Sequence, residues 1–226
     1  MTSLERFDPR SVAPHRIDHH LLPVPQERLT AEGLRAHFAQ PPVWTPDIVR
    51  ERPLAGRASA AAAVLVPLVL REGEISLLLT ERGRHLSTHS GQIAFPGGRQ
   101  DETDPDSVHT ALREAEEEVG LAPSFVEVLG TLPTYVTGTA FIITPVVALV
   151  RPGFELQPNP HEVADVFEVP LPFLMNPAHH QHHEAVWAGD RRQFISMPWT
   201  GPEQRERFIW GATAGMLRNL YRFLVS

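Results

Sequence analysis

Cysteine and lysine are both missing from this chain of 226 residues. Without cysteine there is no disulfide framework, no thiolate metal site and no cysteine nucleophile. All twenty basic residues are arginine, so a Schiff-base lysine and the lysine of a phosphate-binding P-loop are missing as well. These absences exclude pyridoxal enzymes and P-loop ATPases.

Long apolar runs and an excess of positive charge are missing too. The longest apolar run, residues 60–70, reaches about half of the ~20 residues that a membrane-spanning helix needs, and Pro67 interrupts it. The formal net charge of -7 argues against a nucleic-acid binder, which needs a basic surface. The N-terminus lacks the basic start and apolar stretch of a secretory signal. We therefore expect a cytoplasmic protein that binds a small molecule and neither a membrane nor nucleic acid.

Four prolines interrupt residues 1–25, where no helical or strand periodicity is sustained. This composition predicts an irregular N-terminal arm that lies outside the core. Residues 26–226 are predicted to form one domain, which opens with a helix at 26–38 and closes with a helix at 203–224. Both helices are predicted from apolar residues at helical spacing.

Between these helices the sequence predicts a sheet and one further helix. Strand-length apolar runs on either side of Arg-Glu-Gly-Glu indicate a hairpin. A helix at 105–119 is predicted to begin with Asp104 as N-cap and Pro105 in the first position, and to end at Gly120. The order of elements indicates the α+β class, with a mixed sheet and helices packed against it. The predicted strands are 61–70, 75–80, 125–129, 140–150 and 163–169.

Three glutamates of the predicted helix at 105–119 share one side. At about 100° per residue, Glu114, Glu117 and Glu118 fall on one stripe and Glu116 points elsewhere. Like charges at this spacing repel one another unless a cation lies between them, and Mg²⁺ prefers carboxylate oxygen and bridges to phosphates. The spacing alone leaves open a metal site for phosphoryl chemistry or a solvated acidic face. The Phe-Pro-Gly-Gly turn at 95–98, with its exposed backbone polar groups, favours the metal site.

The segment Arg113 to Leu121 resembles the second half of the Nudix box, Arg-Glu-apolar-any-Glu-Glu-any-Gly-apolar, at every position. The first half departs from the pattern, because Asp104 stands where glutamate is expected and eight residues rather than seven precede Arg113. The resemblance implies a Nudix fold, with a mixed sheet between helices, and metal-dependent hydrolysis of a nucleoside diphosphate derivative using Mg²⁺ or Mn²⁺. It implies that Arg113 orients the glutamates. The implied metal ligands are Glu114, Glu117, Glu118 and Gly98, and the implied catalytic residues are Glu117 and Glu162.

The loop before the box is similar to the signature of the coenzyme A diphosphatase subfamily. The similarity runs from Leu78 to Gly98 and departs from the signature at Gly83 and Ser87, where serine or alanine and a second arginine are expected. It implies hydrolysis of coenzyme A or acyl-CoA to adenosine 3',5'-bisphosphate and phosphopantetheine. Guanidinium groups are suited to phosphate, which they can bind in a bidentate fork. The candidate substrate-binding residues are Arg82, Arg84, His89, Gln92 and Arg99.

Two alternatives remain open beside the coenzyme A diphosphatase. One is a Nudix hydrolase for ADP-ribose, NADH or dinucleoside polyphosphates, and the other is a non-catalytic nucleotide-sensing domain, against which the intact glutamate stripe argues. The histidine-rich segment 179–183 is interpreted as a solvated surface loop rather than a metal site. Trp210 is interpreted as a core residue of the closing helix. A homodimer is compatible with the sequence.

Overall fold

The computed structural model describes residues 7–51, 59–83, 85, 90–187 and 190–226. It is a mixed α+β structure built on one eight-stranded mixed sheet and one four-stranded antiparallel sheet, which confirms the predicted class. The bounds of the helices are α1 Ala31–Ala39, α2 Ser107–Val119, α3 Leu171–Leu174 and α4 Gly211–Val225. The bounds of the strands are β1 Pro14–Ile17, β2 Ala60–Leu70, β3 Ile75–Arg82, β4 Ile93–Ala94, β5 Gly97–Arg99, β6 Val126–Thr131, β7 Tyr135–Val136, β8 Phe141–Val150, β9 Val163–Pro170, β10 Gln181–Trp187, β11 Asp190–Thr200 and β12 Glu206–Trp210.

The eight-stranded sheet follows from two long apolar strands at its centre. β2 runs parallel to β8, pairing Ala60 with Phe141 through Val69 with Val150, and antiparallel to β3, as the predicted hairpin requires. β2 and β8 are buried over most of their length because helices cover both faces of the sheet, and continuous apolar runs are typical of such strands. β4 and β9 pair with β3 on its two opposite edges, while β5 pairs with β2.

Each face of the eight-stranded sheet packs against a different helix. Side chains alternate along β3, so that Leu77 and Leu79 join the core beneath α4 while Leu78 joins the core beneath α2. The buried face of α2 carries Ala111 and Ala115, whose small side chains bring the helix close to the sheet. The glutamate helix and the C-terminal helix therefore lie on opposite sides of one sheet.

The four-stranded sheet was not predicted, and it corrects three interpretations of the sequence. Within the arm expected to be irregular, β1 pairs with β10, and Val24 is buried in the core. Residues 206–210, expected to begin the closing helix, form β12 against β11, and Gly211 with φ +61° starts α4. Trp210 is accordingly the half-buried N-cap of α4, not a core residue within the helix.

The histidine-rich segment is the third correction, since it is neither a loop nor solvated. Its residues from Gln181 onward belong to β10, and His180 and His183 are buried. Their ring nitrogens are satisfied by partners in other elements, Leu174 of α3 and Ser196 of β11 among them. Imidazole rings with such partners can be buried in the neutral form at little cost.

Two helix starts also differ from their predictions. The N-cap of α2 is Asp106, whose side chain accepts from the backbone of His109, and not Asp104. The helix predicted at 26–38 is divided: residues 26–29 form a 3-10 turn, and α1 follows with Thr30 as its N-cap. Among the helices of the described ranges, none has the length and apolar character to cross a membrane.

Candidate active site

Glu118 lies at the centre of the site, where the C-terminal half of α2 faces the turn before β5. Its residue is 4% exposed, and one carboxylate oxygen accepts a hydrogen bond of 3.1 Å from the backbone amide of Gly97. The other oxygen lies 3.7 Å from a guanidinium nitrogen of Arg82 at the end of β3. Helix α2 thus carries an almost fully buried carboxylate into contact with two different strands.

Glu114, one turn earlier on α2, lies against Gly98. A Cβ atom on Gly98 would come within 2.5 Å of a carboxylate oxygen of Glu114. A side chain at this position would require the carboxylate to move, so the small glycine provides the space in which Glu114 lies. The glycine pair 97–98 consequently contacts both glutamates, one through a hydrogen bond and one through close packing.

Arg113 contacts two of the glutamates, Glu114 and Glu117, and is itself held by Asp104. Its Nε and Nη2 donate to the two carboxylate oxygens of Asp104 at 3.0 and 2.8 Å. Its Nη1 lies 3.0 Å from both Glu114 and Glu117. The hydrogen bonds from Arg113 hold the pKa of Asp104 well below its usual value. Asp104 therefore anchors Arg113. The sequence did not predict this contact, because Asp104 lies one residue further from Arg113 than the pattern expects.

Glu162 reaches the same place from the turn before β9. The backbone amide of Asn159 donates to the carbonyl of Glu118 at 2.9 Å, which fixes the turn on the end of α2. Within the turn, the amide of Glu162 donates to the carbonyl of Asn159, and Asn159 Nδ2 lies 3.4 Å from the Glu162 carboxylate. The carbonyl of Glu162 accepts from the amide of Gly83 at 2.7 Å. The turn therefore connects α2, β9 and the end of β3.

The electrostatics show that these carboxylates share one environment. The pKa of Glu118 is raised to about 7, mainly by burial; the negative charges of Glu162 and Glu114 act in the same direction, and the hydrogen bond from Gly97 and the charge of Arg82 act against it. Burial also raises the pKa of Glu114, and Glu117 and Glu162 add to the shift. We call Glu114, Glu118 and Glu162 the carboxylate cluster. Among the described residues, burial and mutual repulsion disfavour its negative charge.

The donors of the carboxylate cluster fit a hard divalent cation. Mg²⁺ and Mn²⁺ take carboxylate and carbonyl oxygens, and Mg²⁺ commonly binds through one or two carboxylates while keeping several waters. Two mutually repelling, largely buried glutamates beside a glycine that leaves room for Glu114 meet that requirement. Over the described ranges no group of three or more His, Asp or Glu side chains is arranged to hold a metal ion as it stands. Arg113, at 3.0 Å from Glu114 and Glu117, draws both carboxylates toward itself.

The remaining predicted residues occupy different positions around the carboxylate cluster. Glu117 lies at its rim, with a side chain 58% exposed. Arg82 contacts Glu118, and its Nε is buried without a hydrogen-bond partner in the described structure. Gln92 accepts at its carbonyl from the backbone amide of Arg82, and Arg99 is exposed at the end of β5. Arg84 and His89 lie outside the described residues. The predicted residues Glu114, Glu118, Glu162, Gly98 and Arg82 therefore come together, while Arg99 is brought no closer than the rim.

A second buried charged cluster lies on the other side of the molecule, between β1, β10 and α4. Arg218 donates to Asp47 at 2.7 Å and lies 3.0 Å from Asp18, which is only 1% exposed and also accepts from His182 at 2.8 Å. The side chain of His180 accepts from Arg218 at 3.0 Å. We call Asp18, Asp47, His180, His182 and Arg218 the arginine-aspartate cluster. Sequence reasoning missed it, because its members are up to two hundred residues apart and follow no motif.

Comparison with known proteins gives the family. A family model described as NUDIX domain matches residues 59–188. The uncharacterized Nudix hydrolase NudL of Escherichia coli K12 is 42% identical over 159 residues, which cover 70% of this chain and 80% of that protein. The protein of the same name from Shigella boydii serotype 18 matches to the same extent.

Solved structures with a similar fold include an Ap4A hydrolase of Caenorhabditis elegans in a binary complex. It has a TM-score of 0.42 and 23% identity over 50% of this chain and 80% of that chain. The Nudix domain of Shewanella oneidensis NrtR, complexed with ADP ribose, has a TM-score of 0.40 and 25% identity over 52% of this chain and 76% of that chain.

Proposed function

Because the chain belongs to the Nudix hydrolase family, and is thus a hydrolase of diphosphate bonds in nucleoside diphosphate derivatives, we propose that its substrate is coenzyme A or acyl-CoA. The observation that carries this proposal is the sequence from Leu78 to Gly98, which follows the coenzyme A diphosphatase signature with departures at Gly83 and Ser87. Water adds to one phosphorus of the diphosphate and the bridging oxygen leaves with the other. The products are adenosine 3',5'-bisphosphate and phosphopantetheine or its acyl derivative.

In this proposal the carboxylate cluster is the centre of the chemistry. Glu114 and Glu118, with Glu117 and the carbonyl of Gly98, are the residues that would hold Mg²⁺ or Mn²⁺. Such a cation supplies charge neutralisation at the diphosphate oxygens. Arg113 keeps Glu114 and Glu117 in place, and Asp104 holds Arg113 by two hydrogen bonds.

Glu162 and Glu117 are the candidates for the base that accepts a proton from the attacking water. Glu162 is held by the Asn159 turn within electrostatic range of Glu114 and Glu118, and its carboxylate has a donor in Asn159. Glu117 is more exposed, and its carboxylate lies 3.0 Å from Arg113. Replacement of each by glutamine, followed by pH profiles of kcat, distinguishes the two, because loss of the base removes the acidic limb of the profile.

Arg82 is the candidate for binding substrate phosphate. Its guanidinium group faces the carboxylate cluster, and its Nε has no hydrogen-bond partner among the described residues. A planar guanidinium with free donors is suited to phosphate oxygens. Arg82 lies 3.7 Å from the carboxylate of Glu118, which is a loose contact. A phosphate group could therefore replace this contact at little cost.

Product identification tests the substrate proposal. The purified chain is incubated with Mg²⁺ or Mn²⁺ and, separately, coenzyme A, acetyl-CoA, ADP-ribose, NADH or diadenosine tetraphosphate. The expected result is a kcat/KM for coenzyme A at least tenfold above that for the other nucleotides, with adenosine 3',5'-bisphosphate as product. Preferential hydrolysis of ADP-ribose or of the dinucleotides would replace the proposed substrate while leaving the family reaction unchanged.

The 3'-phosphate of coenzyme A gives a second test, since dephospho-CoA lacks it. If Arg82 contacts this phosphate, Arg82→Ala lowers kcat/KM for coenzyme A by roughly ten- to a hundredfold, the range for a lost hydrogen bond to a charged group, and lowers that for dephospho-CoA much less. Arg71→Ala, at an arginine that follows β2 and pairs with Glu168 of β9, is the control. Equal losses for both substrates would make Arg82 a diphosphate ligand instead.

A further inference from the structure

The last two residues of β3 point to opposite faces of the sheet. Arg82 faces α2, with its guanidinium 3.7 Å from Glu118. Glu81 faces the C-terminal segment, where its buried carboxylate lies 3.2 Å from Arg207 and also pairs with Arg205. Adjacent side chains alternate in this way along any strand. Because the two residues share one stretch of backbone, contacts that fix Glu81 on one face also set the position of Arg82 on the other.

The strand pair that contains Glu81 is held twice by the C-terminal segment. Glu81 of β3 is paired with Ile93 of β4. At the next residue of β3, the amide of Arg82 donates to the carbonyl of Gln92 at 2.9 Å. The hydroxyl of Thr213, in the first turn of α4, donates to the carbonyl of Ile93 at 3.0 Å. Arg207 thus holds β3 at Glu81, and Thr213 holds β4 at Ile93.

Arg207 is a rigid anchor. Its side chain is 5% exposed, donates to Asp165 at 2.8 Å and to Glu203 at 2.9 Å, and lies over the ring of Phe167 at 4.2 Å. A buried ion network contributes little to stability compared with well-packed apolar residues, and its best-attested benefit is a defined geometry. The placement of such a network directly behind Arg82 indicates a positioning role.

The sheet is irregular at the same position. Glu81 is paired with Asp165 of β9, but Arg82 is paired with Val163, so that Ala164 is an extra residue on the opposing strand. Such bulges increase the local twist and reorient side chains, and they are frequent next to active sites. Asp165, beside the bulge, is itself bound by Arg207. Arg207 therefore contacts both strands where their register changes.

We propose that Arg207 and Thr213 are positioning residues that aim Arg82 at the carboxylate cluster. Both lie in the C-terminal segment, beyond the residues 59–188 that the family model matches. The inference rests on the proposed role of Arg82 in substrate binding, but it is independent of which nucleoside diphosphate derivative is bound.

A double-mutant cycle tests the inference. We expect Arg207→Gln to lower kcat/KM five- to twentyfold, mainly through KM, and to have less than a twofold effect when Arg82 is already alanine, because residues that act through one group are not additive. A loss of the same size in both backgrounds would overturn the proposal. The substrate is whichever nucleotide the wild-type chain hydrolyses fastest, so failure of the coenzyme A proposal does not affect the cycle.

Arg218→Gln is the matched control. Arg218 is also an arginine of the C-terminal segment, its side chain is also 5% exposed, and it is also bound by two aspartates, but it belongs to the arginine-aspartate cluster. Its replacement is expected to lower stability and to change KM less than twofold. If Arg207→Gln fails to fold, Thr213→Val removes the hydrogen bond to Ile93 alone. This variant is expected to raise KM at least twofold in the wild-type background, and an unchanged KM would overturn the proposal.

Amide hydrogen exchange provides a readout without substrate. The amides of Arg82 and Gly91, which donate to Gln92 and Arg82, should exchange at least tenfold faster in Arg207→Gln. The amide of Ser76, near the other end of β3, should exchange at the wild-type rate. Unchanged exchange at Arg82 and Gly91 would contradict the inference even if activity fell.

Discussion

The carboxylate cluster and the arginine-aspartate cluster are both buried and charged, and they differ in charge balance. In the first, burial and mutual repulsion raise the pKa of Glu114 and Glu118, and Arg82 at 3.7 Å is too distant for a close ion pair with Glu118. In the second, burial raises the pKa of Asp18, but a hydrogen bond from His182 and the charges of Arg218 and Arg16 together lower it by a larger amount. The net shift of the Asp18 pKa is therefore downward.

This difference separates a site from a structural element. Groups whose surroundings disfavour their charge cost folding free energy, and proteins retain them where they act on a ligand or a substrate. A buried charge with close partners of opposite sign is already satisfied, and removal of one partner damages the fold. We therefore expect mutations in the first cluster to affect turnover and mutations in the second to affect stability.

The largest effect is expected for Glu118→Gln. It keeps the shape of the side chain and removes a charge worth a few kcal/mol of transition-state stabilisation, so kcat should fall about a hundred- to a thousandfold. Steady-state kinetics under saturating Mg²⁺ measures the loss. Glu116→Gln, on the exposed side of the same helix, should change kcat less than twofold. Equal losses in both variants would show that the helix carries no specific site.

The next effect is on stability. Asp18→Asn leaves Arg218 with one aspartate partner in a buried position and should reduce the free energy of unfolding by about 4 kcal/mol, the range for breaking a buried ion pair, with kcat within twofold of the wild type. Glu118→Gln removes repulsion and should be no less stable than the wild type. Urea denaturation of the three proteins checks both statements. A destabilised Glu118→Gln beside an unaffected Asp18→Asn would reverse the comparison.

A smaller effect should appear on acidification of the arginine-aspartate cluster. His180 is fully buried, donates from Nε2 to the carbonyl of Leu174 and accepts at Nδ1 from Arg218, so its ring is held neutral. Burial lowers its pKa to about 4. Below pH 6.5 the unfolded chain binds a proton that the folded chain does not, so stability is complete above pH 6.5 and about 3 kcal/mol is lost as the pH falls to 4.

Urea denaturation between pH 7 and pH 4.5 measures this dependence. His180→Gln should flatten the slope, while His20→Gln, at an exposed histidine, should leave it unchanged. The same slope in all three proteins would show that His180 is not the titrating group.

The contrast between the clusters also explains what the sequence could predict. Glu114, Glu117 and Glu118 are close in sequence, so helical periodicity alone placed them on one side of α2. Structure adds that Glu118 is buried against Gly97 and Arg82 while Glu117 is exposed. Asp104 was expected to cap α2, but both of its carboxylate oxygens accept from Arg113, further along the same helix, and Asp106 is the cap.

The elements that were missed depend on distant partners. Phe208 and Ile209 have helical spacing to the residues of α4, but pairing with β11 places them in β12. The glycine at position 211 was the available sequence signal of the break, and in the structure it adopts a φ of +61°. His180 and His183 follow a proline and look solvated, yet their partners come from α4, α3 and the N-terminal arm. No local pattern carries that information.

Thermal unfolding with and without Mn²⁺ tests the central claim most directly, namely that the carboxylate cluster is left unbalanced in order to bind a divalent cation. A ligand that binds only the folded state stabilises it by about 1.4 kcal/mol at ten times its dissociation constant, which corresponds to a rise in Tm of about 3–5 °C for a chain of this size. We predict that saturating Mn²⁺ raises the Tm of the wild type and of Asp18→Asn by this amount and leaves that of Glu118→Gln within about 1 °C of its metal-free value. An equal rise in Glu118→Gln, or no rise in the wild type, would contradict the account.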